Sequence, residues 1–261
     1  AGPCSAETEV QVLDIANQLK DSDATIYRAG IWKPRTRPGN FEGVGALALE
    51  WLKKVKKETG ILTTTEVANA NHVDLALKNE IDILWIGART TVSPFIVQEI
   101  AEALRGTKKI VLIKNPVNPD LSLWMGAIER FYSSNIKNIG AIHRGFSTYE
   151  KTKFRNNPEW QIAIDLQRKL PDLPLILDPS HIAGRRDLIF DGLNSIKLKL
   201  IDLIMESAPY GVIALLATLV VESPSIDLFI ALGMYSITLI IGLILMIFVY
   251  AILVRVITNT N

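Results

Sequence analysis

A single cysteine, Cys4, stands in a chain of 261 residues. An internal disulfide framework is therefore excluded, and a lone thiol fits a reducing compartment. An excess of either charge is also missing, because 28 Lys+Arg face 27 Asp+Glu and leave a net charge of +1. The cations at the strand ends stand singly rather than in blocks, so no nucleic acid is expected as a partner, and small anions are the better match. Long apolar runs are rare before residue 190 and dominate after it. Beyond that point the only cations are Lys197, Lys199 and Arg255, and the only acids are Asp191, Asp202, Glu206, Glu222 and Asp227.

What is present is a repetition. Six short apolar runs each end in reactive polar residues: IYRAGIWKPRT, ILTTTEV, ILWIGART, IVLIKNP, IGAIHRGF and LPLILDPSH. Segments with helical periodicity stand between them, as at residues 7–19, 45–57, 71–78, 94–104, 121–132 and 158–170. Strand–helix alternation with chemistry at the strand ends predicts an α/β fold of the TIM type, a (β/α) barrel with its site at the C-terminal face. With AGPCS taken as the end of a first strand, about seven strands are expected over residues 1–189, one short of closure. The start on Ala1 rather than Met points to a fragment at that end.

The strand-end residues suit phosphate. Lys33, Arg35 and Thr36 of KPRT offer a point charge, a guanidinium fork and a hydroxyl, and Arg28, Arg89, Lys114 and Arg144 hold equivalent strand-end places. Cations converging on one space require anionic ligands to offset their repulsion. Cys4 and His181, at the ends of the first and seventh expected strands, would face each other across the gap and could hold a divalent cation. Two donors are too few, and Glu66 and Asp178 are the nearest carboxylates at strand ends. His72 and His143 read as structural.

Taken in order, AGPCSAE, RAGIWKPRT, TEV, WIGART, LIKN, IHRGFS and DPSHIAGRRDL resemble the 3-deoxy-D-arabino-heptulosonate 7-phosphate synthase family across residues 1–189. The resemblance implies an aldol-type condensation of phosphoenolpyruvate with erythrose 4-phosphate, a transferase step of the shikimate pathway and aromatic amino acid biosynthesis. It implies that Arg28, Lys33, Arg89, Lys114 and Arg144 hold phosphoenolpyruvate, and that Arg35 and Thr36 receive the phosphate of the aldose. Lys33, Lys114 and His181 would be the catalytic groups, with Cys4 and His181 on a divalent metal (Mn, Fe, Co or Zn). Ketodeoxyoctulosonate phosphate synthase is the nearest alternative, but it usually carries an Asn-containing motif where this chain has KPRT. The family's metal site also uses a Glu on the eighth strand and an Asp after it. Ile196 falls where that Glu should be, so impaired activity is expected. A homo-oligomer is compatible with all of this.

The tail reads differently. Residues 228–254 are uncharged over about 40 Å of helix, against a hydrocarbon core of about 30 Å. With residues 196–221 as a shorter partner and ESPS as the turn, an α-helical transmembrane hairpin through residues 196–255 is expected, both of its ends and the barrel lying in the cytoplasm. FDGLN, IDLIM and ESAPYGVIALLATLVVE resemble scaffold helices of sodium:dicarboxylate symporters. The second segment, 190–261, is accordingly expected to be a fragment of that family joined at residues 190–193. A non-functional chimera is a third expectation.

Overall fold

The computed structural model describes residues 1–35, 37–150, 152–222, 230–231, 233–238, 240–242 and 244–246. By packing it divides into one unit over Ala1–Lys199 and another over Leu200–Asn261, and the sheet and candidate site belong to the first.

The first unit opens with α1 (Glu9–Leu19), where the Thr8 side chain accepts a hydrogen bond from the Gln11 N–H and so satisfies a free amide of the first turn. Then follow β1 (Ile26–Arg28), α2 (Leu47–Thr59), β2 (Leu62–Val67), α3 (Ala70–Lys78), β3 (Ile83–Ile86), the single turn α4 (Ala88–Thr91) and α5 (Pro94–Ala103). β4 (Ile110–Lys114), α6 (Leu121–Ser133), β5 (Ile139–His143), α7 (Trp160–Lys169), β6 (Leu175–Leu177) and α8 (Pro179–Ala183) complete the alternation. A short 3-10 turn, Arg186–Leu188, then leads into α9 (Ile189–Glu222). Caps again match local sequence, since Asn69, Asp120 and Asp178 each accept an amide proton at the start of their helix.

The strands form one parallel sheet in the order β1-β2-β3-β4-β5-β6. Sequential order with a helix between neighbours is the wall of a barrel, open because β1 and β6 are its edges. Register decides which residues face inward. Arg28 pairs with Thr64, Glu66 with Trp85, Trp85 with Leu112, and Lys114 with Ile142, so Arg28, Glu66, Trp85 and Lys114 share the inner face. Ile83, Trp85, Leu112 and Ile142 make the small inner core. The larger core lies on the other face, where Leu84, Ile86, Val111 and Ile113 meet apolar helix residues such as Leu49, Leu52, Ile100 and Trp124.

Two expectations are corrected. The described residues form six strands rather than seven. AGPCS is not a strand, but Ala1 lies alongside β1: its ammonium donates to the Ile26 carbonyl at 2.8 Å, and the Arg28 N–H donates to the Ala1 carbonyl at 2.7 Å. One residue is too short to count as a strand. The transmembrane hairpin is likewise unsupported, because no helix among the described residues is long and apolar enough to cross a membrane. Lys197, Lys199, Asp202 and Glu206 interrupt the first half of α9, and Pro209 lies within it. Of the second expected span, residues 228–229, 232, 239, 243 and 247–254 lie outside the described residues.

Candidate functional site

Most of the inward-aimed strand ends open into one cavity of about 290 Å³, lined by Cys4, Lys33, Arg35, Glu66, Arg89, Lys114, Arg144, Arg155, Asn156 and His181 among others. Six cations and one carboxylate therefore share a small space. Thr36 lies outside the described residues. Arg28 does not line this cavity. It faces the adjoining barrel interior of about 760 Å³, which Cys4, Lys114 and His181 also border.

Trp85 lines the larger space. Its Nε1–H donates to Glu66 Oε2 at 3.0 Å, while the Arg28 guanidinium and the Lys114 ammonium lie over its ring at 4.9 and 5.6 Å from the centroid. Asp178 then joins three elements. Its Oδ2 is 3.2 Å from Lys114 Nζ, 3.8 Å from Arg28 and 2.7 Å from His181 Nδ1, and its Oδ1 accepts the His181 N–H at 3.2 Å. The His181 ring contact is close, but Nδ1 makes no formed hydrogen bond there.

Electrostatics follow from this packing. Burial alone would raise the Asp178 carboxyl, but His181, Lys114 and Arg28 together hold it well below the ordinary carboxylate range. Burial lowers Lys114 from its usual value, and the Asp178 charge opposes that fall. Arg144 is lowered to about 10, first by burial and then by the like charges of Arg155 and Arg89, against Asp178. The exposed Cys4 thiol is lowered to about 6, chiefly by its contact with His181 and further by Lys33 and Arg28, against partial desolvation. Lys33 Nζ sits 3.3 Å from Cys4 Sγ and also donates to the Cys4 carbonyl.

Backbone contacts aim the side chains. Asn115 Oδ1 accepts the Arg144 N–H at 2.7 Å, and Asn115 Nδ2 donates to the Gly145 carbonyl at 2.8 Å, fixing the turn that carries Arg144. Arg35 Nε–H donates to the Phe41 carbonyl at 2.8 Å, which bends the KPRT loop back on itself. The Trp32 ring beside that loop stacks on His72 with centroids 3.9 Å apart.

Sequence reasoning did not mark Arg155, Asn156 or Asn115. Arg155 follows no apolar run, so nothing local marks it, whereas Asn115 directly follows Lys114. His143 faces outward among Trp124, Phe146 and Trp160, in keeping with a structural part.

The metal expectation finds incomplete support. Among the described residues no group of three or more His, Cys, Asp or Glu could hold a metal ion. Cys4 and His181 offer two donors, but Asp178 is turned to cations and Glu66 to the Trp85 indole. These residues do not by themselves make a metal site.

Comparison with known proteins agrees with the geometry. A family model described as DAHP synthetase I family matches residues 1–224. Phospho-2-dehydro-3-deoxyheptonate aldolase of Thermotoga maritima is 31% identical over 189 residues, covering 72% of this chain and 54% of the relative. The crystal structure of the Thermotoga maritima phospho-2-dehydro-3-deoxyheptonate aldolase (DAHP synthase) superposes with a TM-score of 0.62 at 27% identity, covering 72% of this chain and 52% of that one. A truncated form of 3-deoxy-D-arabino-heptulosonate 7-phosphate synthase from the same organism gives 0.60 at 27% identity, covering 72% and 66%. The chain thus spans about half the length of the curated relative it matches. The family match also runs past residues 190–193, through much of the segment expected to come from a symporter, and a symporter tail is not supported.

Proposed function

Because the chain belongs to the DAHP synthetase I family, we propose that it serves the condensation of phosphoenolpyruvate with erythrose 4-phosphate in aromatic amino acid biosynthesis. The observation that carries this reading is the convergence of Lys33, Arg35, Arg89, Lys114 and Arg144 on one cavity at the C-terminal ends of parallel strands.

Lys33, Arg89, Lys114 and Arg144 hold the phosphate and carboxylate of phosphoenolpyruvate, and Arg28 steadies Lys114 through their shared partner Asp178 as well as belonging to the same binding group. Arg35 and Thr36 receive the phosphate of the aldose. C3 of the enol then attacks the aldehyde carbon, water adds at C2, and the C2–O bond to phosphate breaks to release inorganic phosphate. Fixed cations stabilise the charge that builds on the carboxylate side and on the departing phosphate without reorganising. Asp178 favours the charged form of Lys114 against its burial, and His181, close to the same carboxylate, is the group we assign to move a proton at the aldehyde oxygen.

Cys4 and His181 are the two donors this chain offers to a divalent cation. No step is assigned to a metal, since a third donor does not join them among the described residues. A cytoplasmic setting accords with the phosphorylated substrates and the single cysteine.

The test is release of inorganic phosphate from phosphoenolpyruvate by the full chain supplied with a divalent cation. Release that depends on erythrose 4-phosphate is the expected result. A folded sample that releases none, or releases it equally without the aldose, would overturn the reading.

A further inference from the structure

Arg155 lies in the loop between β5 and α7, well past the end of any strand, yet it lines the same cavity as the strand-end cations. Three features hold it there. Its N–H donates to the Ala183 carbonyl at 3.4 Å, and the next residue, Asn156, donates through its N–H to the Ile182 carbonyl at 3.1 Å and through Nδ2 to the His181 carbonyl at 2.6 Å. The aliphatic stem crosses Gly184, which has φ +71°; a Cβ there would stand 2.4 Å from Arg155 Cβ and 2.8 Å from Cδ. Only a residue without a Cβ leaves that path open.

No acid is paired with this guanidinium among the described residues, while Asp165, Asp178, Asp187 and Asp191 each hold another cation. Cations outnumber the one carboxylate, Glu66, around the cavity that Arg155 lines. Arg155 acts on Arg144 as a like charge, as Arg89 does. Arg155 shares one confined space with Arg144 and Arg89, and an anion there offsets the repulsion of Arg144 and Arg155, the phosphate oxygens suiting guanidinium forks.

We propose that Arg155, with Arg144 and Arg89, forms a phosphate-binding subsite supplied by the loop between β5 and α7. This deepens the reading above and rests on it for the occupant, the phosphate of phosphoenolpyruvate. The aldose phosphate shares the same chemistry, so both are tested.

Binding of inorganic phosphate, phosphoenolpyruvate and erythrose 4-phosphate to the full chain is measured by titration calorimetry for wild type, Arg155→Ala and Arg155→Lys. Each variant is first matched to wild type by circular dichroism and thermal melting. Arg155→Ala is expected to weaken inorganic phosphate and phosphoenolpyruvate roughly tenfold, as for loss of a charge-assisted contact, and Arg155→Lys to recover part of that loss. An effect confined to erythrose 4-phosphate keeps the subsite and assigns it to the aldose. Unchanged affinity in Arg155→Ala, where wild type binds, overturns the subsite and leaves the condensation reading standing. Weakened inorganic phosphate binding in a chain that never condenses the two substrates keeps the subsite and removes that reading. Wild type that binds none of the three anions overturns the subsite.

Discussion

Lys114 and Asp178 meet at 3.2 Å across β5, joining the end of β4 to the residue that caps α8. The pair is nearly closed to solvent, with side-chain exposures of 7% and 10%. Removing one member leaves the other charge buried and unbalanced. Asp178→Asn keeps the helix cap but not the charge, so a loss of about 3 kcal/mol at neutral pH is expected, measured by urea unfolding. The sign with pH follows from the depressed carboxyl of Asp178: its contribution is present above the unfolded value of about 4 and fades as pH falls below it. Asp178→Asn should therefore lose part of the acid-side slope; an unchanged slope would remove this pair as its source.

His143 is 1% exposed and is lowered to about 4, chiefly by burial. Between pH about 6.5 and about 4 the unfolded chain takes up a proton that the folded chain refuses. Stability attributable to this group is thus complete above pH about 6.5 and declines by about 3 kcal/mol as pH falls to about 4. His143→Phe should flatten that decline. Urea midpoints at pH 5 and pH 7 that differ equally in both proteins would refute it.

Cys4 is exposed and lowered to about 6, so it is largely thiolate at neutral pH. Alkylation by iodoacetamide is expected to be half-maximal near pH 6. His181→Ala removes the largest contribution, and the midpoint should then climb toward about 8.5. A midpoint unmoved by that substitution would locate the cause elsewhere.

Gly87, just before α4, leaves room for the Glu66 carboxyl, since a Cβ there would lie 2.1 Å from Oε1. That carboxyl is tied to the Trp85 indole at 3.0 Å and cannot swing aside without breaking the tie. Gly87→Ala should cost about 1–3 kcal/mol by urea unfolding and red-shift or broaden tryptophan emission as Trp85 loses its partner. Unaltered stability and emission would show that the strand end can yield.

Much of the wall was legible from sequence. Runs such as ILTTTEV and IVLIKNP became β2 and β4 because β-branched and apolar residues in short runs fit a pleated, buried surface. Arg89, Lys114 and Arg144 were recognised because each directly follows such a run, and the structure brings them together with Lys33 and Arg35. The short match of AGPCS to a strand end was less secure, because a strand needs a partner along several residues and Ala1 alone supplies one step. The apolar tail is a different case: hydropathy reports that a segment avoids water, not that it forms an unbroken apolar helix, and the described residues show none long and apolar enough to cross a membrane.

Sequence by itself determined the alternation of elements, their caps and the chemistry placed at each strand end, since these depend on neighbours within a few residues. Tertiary structure decided that Arg28 turns to Asp178 and the barrel interior, that Asp178 gathers Lys114 and Arg28 beside His181, and that Arg155 enters the cavity from a loop with no local mark. Those outcomes depend on strand register and on burial among distant residues, and Coulomb and desolvation terms there are set by separations of a few ångströms that no local spacing encodes.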